Sequence, residues 1–181
     1  MSKSKFKFKN GDVLELKAIK VCEWASEETY CFESKLYLNG KLLAFVSNDG
    51  HGACNRLDVN HPLFKGSEFR VVTDKLREEL PKYYMEFDNS WNQSDLEVWV
   101  GEAVTDHLIK KDFNKLIKSK VLYVNPKSEN PKAIYQFSWK GVRKVTQRHI
   151  DSILGKKEYA DYIVLNALPL EQAYEIFEEG A

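Results

Sequence analysis

The chain has 181 residues, 43% of them hydrophobic and 30% charged, so it can form a substantial core and is not a disordered chain by composition. No apolar run approaches the roughly 20 residues of a membrane-spanning helix. No apolar stretch follows the N-terminal lysines, as a secretory signal requires. Three cysteines without a disulfide-framework spacing favour a reducing compartment. We therefore predict a cytoplasmic protein that does not engage a membrane.

The formal net charge of zero conceals blocks of opposite sign. The net charge is +2 over residues 1–73, −6 over 74–106, +9 over 107–149 and −5 over 150–181. Blocks of this kind predict surfaces with strong local fields although the chain as a whole is neutral.

Two Asn-Gly pairs predict β-hairpins in the first third of the chain, because both residues tolerate positive φ in a tight turn. Asn10-Gly11 and Asn39-Gly40 each separate segments in which apolar and polar residues alternate. Residues 24–29 are the predicted connection between the hairpins. Two hairpins need a cover for their apolar face, and we expect helices to supply it.

A short helix is predicted next, with Thr73 as its N-cap. Pro81 should interrupt this helix or kink it before Tyr83, Tyr84 and Phe87, because proline lacks the backbone N–H that a helix interior requires.

A long amphipathic helix is predicted over residues 94–118, where apolar residues recur at steps of three and four. Ser94 and Glu97 have the spacing of a capping box at its start. Gly101 inside the helix costs about 1 kcal/mol relative to alanine, which indicates close packing against another element.

The last third predicts a hairpin, a helix, a strand and a final helix. The segments are residues 121–124 paired with 133–137, a helix from Thr146 to a left-handed Gly155, a strand over 162–166 and a helix opened by Pro169. The fold class is therefore α+β, with antiparallel hairpins packed against one long helix and shorter helices. We predict one domain over residues 1–181. A subdivision near 91–93 would separate a β-rich N-terminal part from the remainder.

The residues after the second hairpin combine turn formers with reactive side chains. Successive tight turns there can direct backbone N–H groups into an anion-binding concavity, and an imidazole can add positive charge. The candidate ligand-binding residues are Asn48, Asp49, Gly50, His51, Gly52 and Asn55. The alternative is a loop in which the Asx side chains cap their own backbone.

A hydrolase is a second interpretation of the same loop. Its catalytic residues would be His51, Asp49 and Cys54, with His61 and Asp58 as alternative base and orienting group. Residues three apart on a loop rarely face each other as a catalytic pair requires. Whether the protein is an enzyme therefore stays open.

Three thiols and an imidazole also raise the question of zinc. The candidate ligands are Cys22, Cys31, His51 and Cys54. Structural zinc sites usually contain two close pairs of ligands, and Cys22 and Cys31 do not have that spacing. We therefore expect no metal and no cofactor.

The +9 block is a second candidate surface, for nucleic acid or another anion. Its candidate residues are Lys110, Lys111, Lys115, Lys118, Lys140, Arg143, Lys144 and Arg148. Three aromatic residues, Tyr135, Phe137 and Trp139, lie among them and can in principle stack on bases. The alternative is a solvated helix face beside core aromatics, since no nucleic-acid-binding motif accompanies the block.

Residues 31–52 and 164–173 resemble stretches in small uncharacterised phage and prophage proteins. The resemblance implies an accessory protein that acts on a host macromolecule or on a defence-system signal, and it assigns no catalytic residue. We therefore predict a binding protein whose partner is a host protein or a small anionic ligand. A His-dependent or metal-dependent hydrolase and a nucleic-acid-binding protein are the alternatives. The oligomeric state is left open.

Overall fold

The two Asn-Gly hairpins lie in the first of two compact units, Met1–His107, and the second unit is Leu108–Ala181. The computed structural model describes residues 3–59, 66–85 and 89–181, with residues 66–68 described by their backbone alone. The predicted α+β class is confirmed. The boundary between the units lies inside the long helix, and the predicted single domain stays a prediction.

A five-stranded antiparallel sheet forms the N-terminal unit, in the order β1-β2-β3-β4-β5. The strands are β1 (Lys5–Lys7), β2 (Val13–Val21), β3 (Phe32–Leu38), β4 (Lys41–Asn48) and β5 (Arg56–Asp58). Both predicted hairpins are confirmed, and Asn39 and Gly40 have the positive φ that their turn requires. The Asn39 side chain joins the two hairpins by accepting from the Val13 N–H and donating to the Asp12 carboxylate, which lowers the pKa of Asp12.

Apolar residues alternate along the strands and place the core on one face of this sheet. Leu16 pairs with Leu36, and Leu36 pairs with Ala44, so these buried side chains share a face across three strands. Fully burying a leucine side chain contributes about 1.5–3 kcal/mol. The intervening Glu33 and Lys35 are exposed and therefore lie on the opposite face.

Helix α1 (Gly66–Glu79) contradicts the predicted helix start. Thr73 lies inside α1, where its hydroxyl donates to the Arg70 carbonyl at 2.8 Å, and it is not the N-cap. The helix ends just before Pro81, as predicted. The antiparallel strands β6 (Lys82–Met85) and β7 (Ser90–Gln93) follow it. Tyr83 and Tyr84 therefore lie on a strand, and Phe87 lies outside the described residues.

Helix α2 (Leu96–Ser119) confirms the predicted long helix, but its N-cap is Asp95. The Asp95 carboxylate accepts from the backbone N–H groups of Glu97 and Val98, which replaces the predicted Ser94 capping box. The close packing predicted at Gly101 is wrong, because a Cβ atom there would meet no heavy atom of the described residues within 4 Å beyond the neighbouring backbone of its own helix. Among the helices in the described part of the chain, none combines the length and apolar composition of a bilayer crossing.

The C-terminal unit contains a three-stranded antiparallel sheet in the order β10-β8-β9. Its elements are β8 (Val121–Val124), β9 (Ile134–Phe137), α3 (Gln147–Leu154), β10 (Ile163–Val164) and α4 (Leu170–Gly180). The predicted hairpin and both helices are confirmed, whereas the last strand is shorter than the predicted 162–166. Gly155 has a φ of −76°, so the predicted left-handed helix end is wrong.

Asn166 fastens the end of α2 to the start of β8. Its amide nitrogen donates to the carbonyls of Ile117 and Lys120, and its side-chain oxygen accepts from the Leu122 N–H. Leu122 then joins a buried cluster with Phe113 and other residues of α2 and α4. A second cluster packs Val121 against the apolar side of α3. Successive residues of β8 therefore face different helices: Leu122 packs against α2 and α4, and Val121 packs against α3.

Candidate functional site

Asn48 organises the loop of residues 48–55. Its side chain is 7% exposed and accepts from the Thr29 hydroxyl and from the Gly50 N–H, both at 2.8 Å. Its amide nitrogen donates to the Ala53 carbonyl at 2.8 Å and to the Asn55 side-chain oxygen at 3.1 Å. These four hydrogen bonds use the full capacity of one amide group. Asn48 therefore has a structural role, and its amide is saturated.

The carbonyl oxygen of Gly50 accepts three consecutive backbone N–H groups. They belong to Glu27, Glu28 and Thr29, at 3.1, 2.9 and 3.2 Å. Converging N–H groups of this kind form the concavity that binds anions in many proteins. Here the concavity belongs to the connection between the hairpins, and the Gly50 oxygen fills it.

Three of the loop's own N–H groups are also satisfied within the protein. The Gly50 N–H donates to Asn48, the His51 N–H donates to the Asp49 carboxylate at 3.2 Å, and the Gly52 N–H donates to the Thr29 hydroxyl at 3.3 Å. None of these three groups is free to bind an anion. The geometry of the predicted ligand-binding residues thus favours the alternative in which the loop caps itself.

The three candidate catalytic side chains of the loop have separate partners. His51 is exposed, and its Nδ1 lies 3.3 Å from a Glu27 carboxylate oxygen. The Asp49 carboxylate caps the loop backbone. The Glu97 carboxylate on α2 raises the pKa of the Cys54 thiol, first through a hydrogen bond and then through its negative charge. Within the described residues no hydrogen bond joins Cys54 to His51, and His61 lies outside them.

The four candidate zinc ligands are divided in the same way. Cys22 and Cys31 are neighbours, since the Cys22 N–H donates to the Cys31 carbonyl at 2.8 Å, whereas Cys54 contacts α2. In the part of the chain that the structure describes, no group of three or more His, Cys, Asp or Glu side chains is placed to hold a metal.

A shallow cavity of about 380 Å³ lies between the loop and α2. Tyr30, 45% exposed, and Glu97 contribute to its wall, and Gly101 lines it, which accounts for the open space beside that glycine. Thr29, Tyr30 and Glu97 are not among the site residues predicted from the sequence. Only their tertiary contacts connect them to the loop.

The second candidate surface is assembled at the end of α2. The Val145 N–H donates to the Lys118 carbonyl at 2.8 Å, which brings the segment containing Arg143 and Lys144 to the helix end. The basic surface consists of six exposed residues, Lys115, Lys118, Lys140, Arg143, Lys144 and Arg148. Within the described residues none of the six is ion-paired to a carboxylate.

The other cations of the block are engaged. Lys110 lies 5.0 Å from the Tyr174 ring centroid, and both Lys110 and Lys111 have further partners. Lys127 pairs with Asp161 at 2.6 Å. The structure therefore divides the predicted basic residues into an engaged set and an unpaired set.

The aromatic residues of this unit pack on one another. The Tyr123 ring stacks on Tyr162 at 4.8 Å and on Phe137 at 4.5 Å, and it lies 5.5 Å from Tyr135. Phe137 and Trp139 pack against the buried cluster under α3. Their ring faces are thus largely covered, as the alternative of core aromatics predicts. Burial also raises the pKa of Tyr123.

We expect Gly50→Ala to lower the free energy of unfolding by at least about 2 kcal/mol, because its φ is +90° and a Cβ atom would clash with the Ala25 backbone oxygen. Gly52→Ala is the matched control: its φ is also positive, but the Cβ would meet only the movable end of Glu28, so we expect about 1 kcal/mol. Urea unfolding followed by circular dichroism measures both. Equal losses would contradict a close approach at Gly50.

We expect iodoacetamide at pH 8 to alkylate Cys54 severalfold faster in Glu97→Gln than in the wild type. The substitution removes the carboxylate that raises the pKa of the thiol, so more reactive thiolate forms. Mass spectrometry of timed digests gives the rate. Glu102→Gln, on the same helix, is the control and should leave the rate unchanged. An equal rate in Glu97→Gln and wild type would contradict the Cys54–Glu97 contact.

Comparison of this chain with family models, with curated proteins and with solved structures gives no match.

Proposed function

We propose that this chain is a binding protein and that its C-terminal unit binds nucleic acid through the phosphate backbone. The observation that supports the proposal is the basic surface, where six exposed cations lie without a carboxylate partner in the described part of the chain. The hydrogen bond between Val145 and Lys118 brings two segments of this surface together. Unpaired cations on a surface attract phosphates and release the counterions bound to them.

Helix stability explains only part of this charge. Lys115 and Lys118 lie in the last turns of α2, where cations interact favourably with the helix dipole. Arg148 lies in the first turn of α3, where a cation is unfavourable and where no acidic residue compensates it. A role in binding accounts for a cation at that position better than a role in helix stability does.

The proposed recognition is of phosphates and not of bases. The aromatic rings near the basic surface are packed against one another and against the α3 cluster, so they offer little free face for base stacking. Contacts to phosphate carry no sequence information. We therefore expect non-specific affinity in the range of about 10⁻⁴–10⁻⁶ M at physiological salt.

We expect the binding of a fluorescein-labelled 20-base-pair DNA duplex to fall with salt, as measured by fluorescence anisotropy. In the double variant Lys118→Gln/Lys144→Gln, the slope of log K against log salt should decrease in magnitude by about 2, because each lost phosphate contact removes about one unit. Lys127→Gln removes a cation that is already paired with Asp161 and is the matched control. Its slope should equal that of the wild type.

Two results would contradict the nucleic-acid proposal. The first is no detectable binding of the duplex, or of either single strand, in low-salt buffer. The second is a change of slope in Lys127→Gln that reaches half the change in the double variant, since an equal change for each removed charge would show a dependence on total charge and not on the basic surface.

A protein partner for the N-terminal unit is a second candidate, and one observation favours it. Trp24 is 89% exposed on the connection that holds Gly50. Exposed tryptophans are disfavoured on isolated surfaces and are enriched among the residues that dominate binding energy at interfaces. Exposed carboxylates lie close to Trp24 in the chain, at Glu23, Glu27 and Glu28. A positively charged patch on the partner would therefore be complementary.

We expect Trp24→Ala to abolish the retention of specific proteins from a bacterial lysate on the immobilised chain. Trp91→Ala is the control, because Trp91 is also largely exposed, at 66%, but belongs to the β6–β7 hairpin. Quantitative mass spectrometry of the eluates compares the three proteins. Identical retention by wild type and Trp24→Ala would contradict this candidate.

The origin and compartment of the protein stay predictions. A phage or prophage source depends on the sequence resemblance alone, and a cytoplasmic location depends on composition and cysteine usage. A host macromolecule as partner agrees with both candidate surfaces.

A further inference from the structure

The connection between β2 and β3 begins and ends with a cysteine. Cys22 follows the last residue of β2, and Cys31 precedes the first residue of β3, directly beyond the cross-strand pair Val21 and Phe32. The Cys22 N–H donates to the Cys31 carbonyl at 2.8 Å. The two cysteines are therefore direct cross-strand neighbours, both half-buried.

Their separation suits a disulfide. Opposed residues in antiparallel strands have Cα atoms about 4.5–5.5 Å apart. Disulfides span Cα distances of roughly 4.4–6.8 Å. The Cys22 thiol also lies within hydrogen-bond reach of the Cys31 thiol. Bond formation thus requires little movement of the backbone.

Ser26 already links the two ends of this connection without a covalent bond. Its hydroxyl donates to the Cys22 carbonyl and accepts from the Cys31 N–H, both at 2.9 Å. The enclosed segment carries the three N–H groups that bind the Gly50 oxygen, and it carries the exposed Trp24. A covalent link between Cys22 and Cys31 would restrain both the three N–H groups and Trp24.

We propose that Cys22 and Cys31 form a reversible disulfide that stiffens the loop platform of residues 22–31 and 48–52. The oxidant is a small-molecule disulfide such as oxidised glutathione. A thiolate at Cys22 attacks one sulfur of the oxidant, forms a mixed disulfide and releases one glutathione thiolate. The Cys31 thiolate then attacks the Cys22 sulfur and releases the second glutathione. Two protons leave the protein thiols, and two electrons reduce the oxidant.

Burial raises the pKa of the Cys31 thiol, and the neighbouring Cys22 adds to the effect. Less thiolate is then present at neutral pH, so the closing step should accelerate as the pH rises. Cys54 is separate from this pair, since its thiol is hydrogen-bonded to Glu97.

The test uses the intact protein with oxidised glutathione, followed by alkylation with N-ethylmaleimide and tryptic digestion. Cleavage after Lys20 and Lys35 places both cysteines in one peptide, residues 21–35. We expect this peptide to be about 2 Da lighter than its reduced form, with no alkyl group and no glutathione. In Cys31→Ser the peptide should retain one glutathione, because the closing thiol is absent, and in Cys22→Ser it should carry one alkyl group and no glutathione, because the attacking thiol is absent. In Cys54→Ser it should close as in the wild type.

A second measurement follows the consequence for the loop. Hydrogen exchange at the amides of residues 27–29 should slow in the oxidised wild type, and it should not slow in Cys22→Ser treated in the same way. Two glutathione adducts on residues 21–35 in the wild type, or two alkylated thiols, would overturn the proposal. So would a closed disulfide with unchanged exchange, since the link would then have no effect on the platform.

Discussion

The hydrogen bonds between the Gly50 carbonyl and the N–H groups of residues 27–29 determine how two loops of the N-terminal unit are held together. They join the connection between the hairpins to the loop that follows the second hairpin. The joint requires a residue without a Cβ atom, because Gly50 combines positive φ with close contact to Ala25. Asn48 closes the same joint from within the sheet through its bond to Thr29. The exposed positions of Trp24 and His51 thus depend on one backbone arrangement.

Much of the fold could be predicted from sequence, because its signals are local. The Asn-Gly turns need only their own conformational freedom, and the long helix needs only its periodicity. Errors arose where neighbouring residues compete: Asp95, and not Ser94, caps α2, because the choice depends on side-chain direction. The site was predicted less well. The partners of the loop are distant in the chain, with Thr29 lying 19 residues from Asn48, and no local pattern reveals them.

Electrostatics show the same division between what sequence contains and what structure adds. The sequence predicts a block of positive charge over residues 107–149, and that block exists in the C-terminal unit. Sequence does not distinguish Lys127, which is paired with Asp161, from Lys118, which is exposed and unpaired in the described residues. A paired cation is partly neutralised and contributes little to attracting a polyanion, whereas an unpaired one contributes fully. The pairing pattern therefore carries more functional information than the charge count.

The loop of residues 48–55 is limited in how it can recognise a partner, because three of its N–H groups are already bonded within the protein. With the N–H groups of Gly50, His51 and Gly52 all engaged, an incoming ligand would have to compete with existing hydrogen bonds. A partner of this loop would then be recognised by projecting side chains such as Trp24. The placement of Trp24 follows from the hydrogen bonds by which Ser26 links Cys22 and Cys31. A covalent bond between Cys22 and Cys31 would reinforce the link that Ser26 makes. The proposed disulfide would thus regulate this part of the molecule through its stiffness and not through a bound ligand.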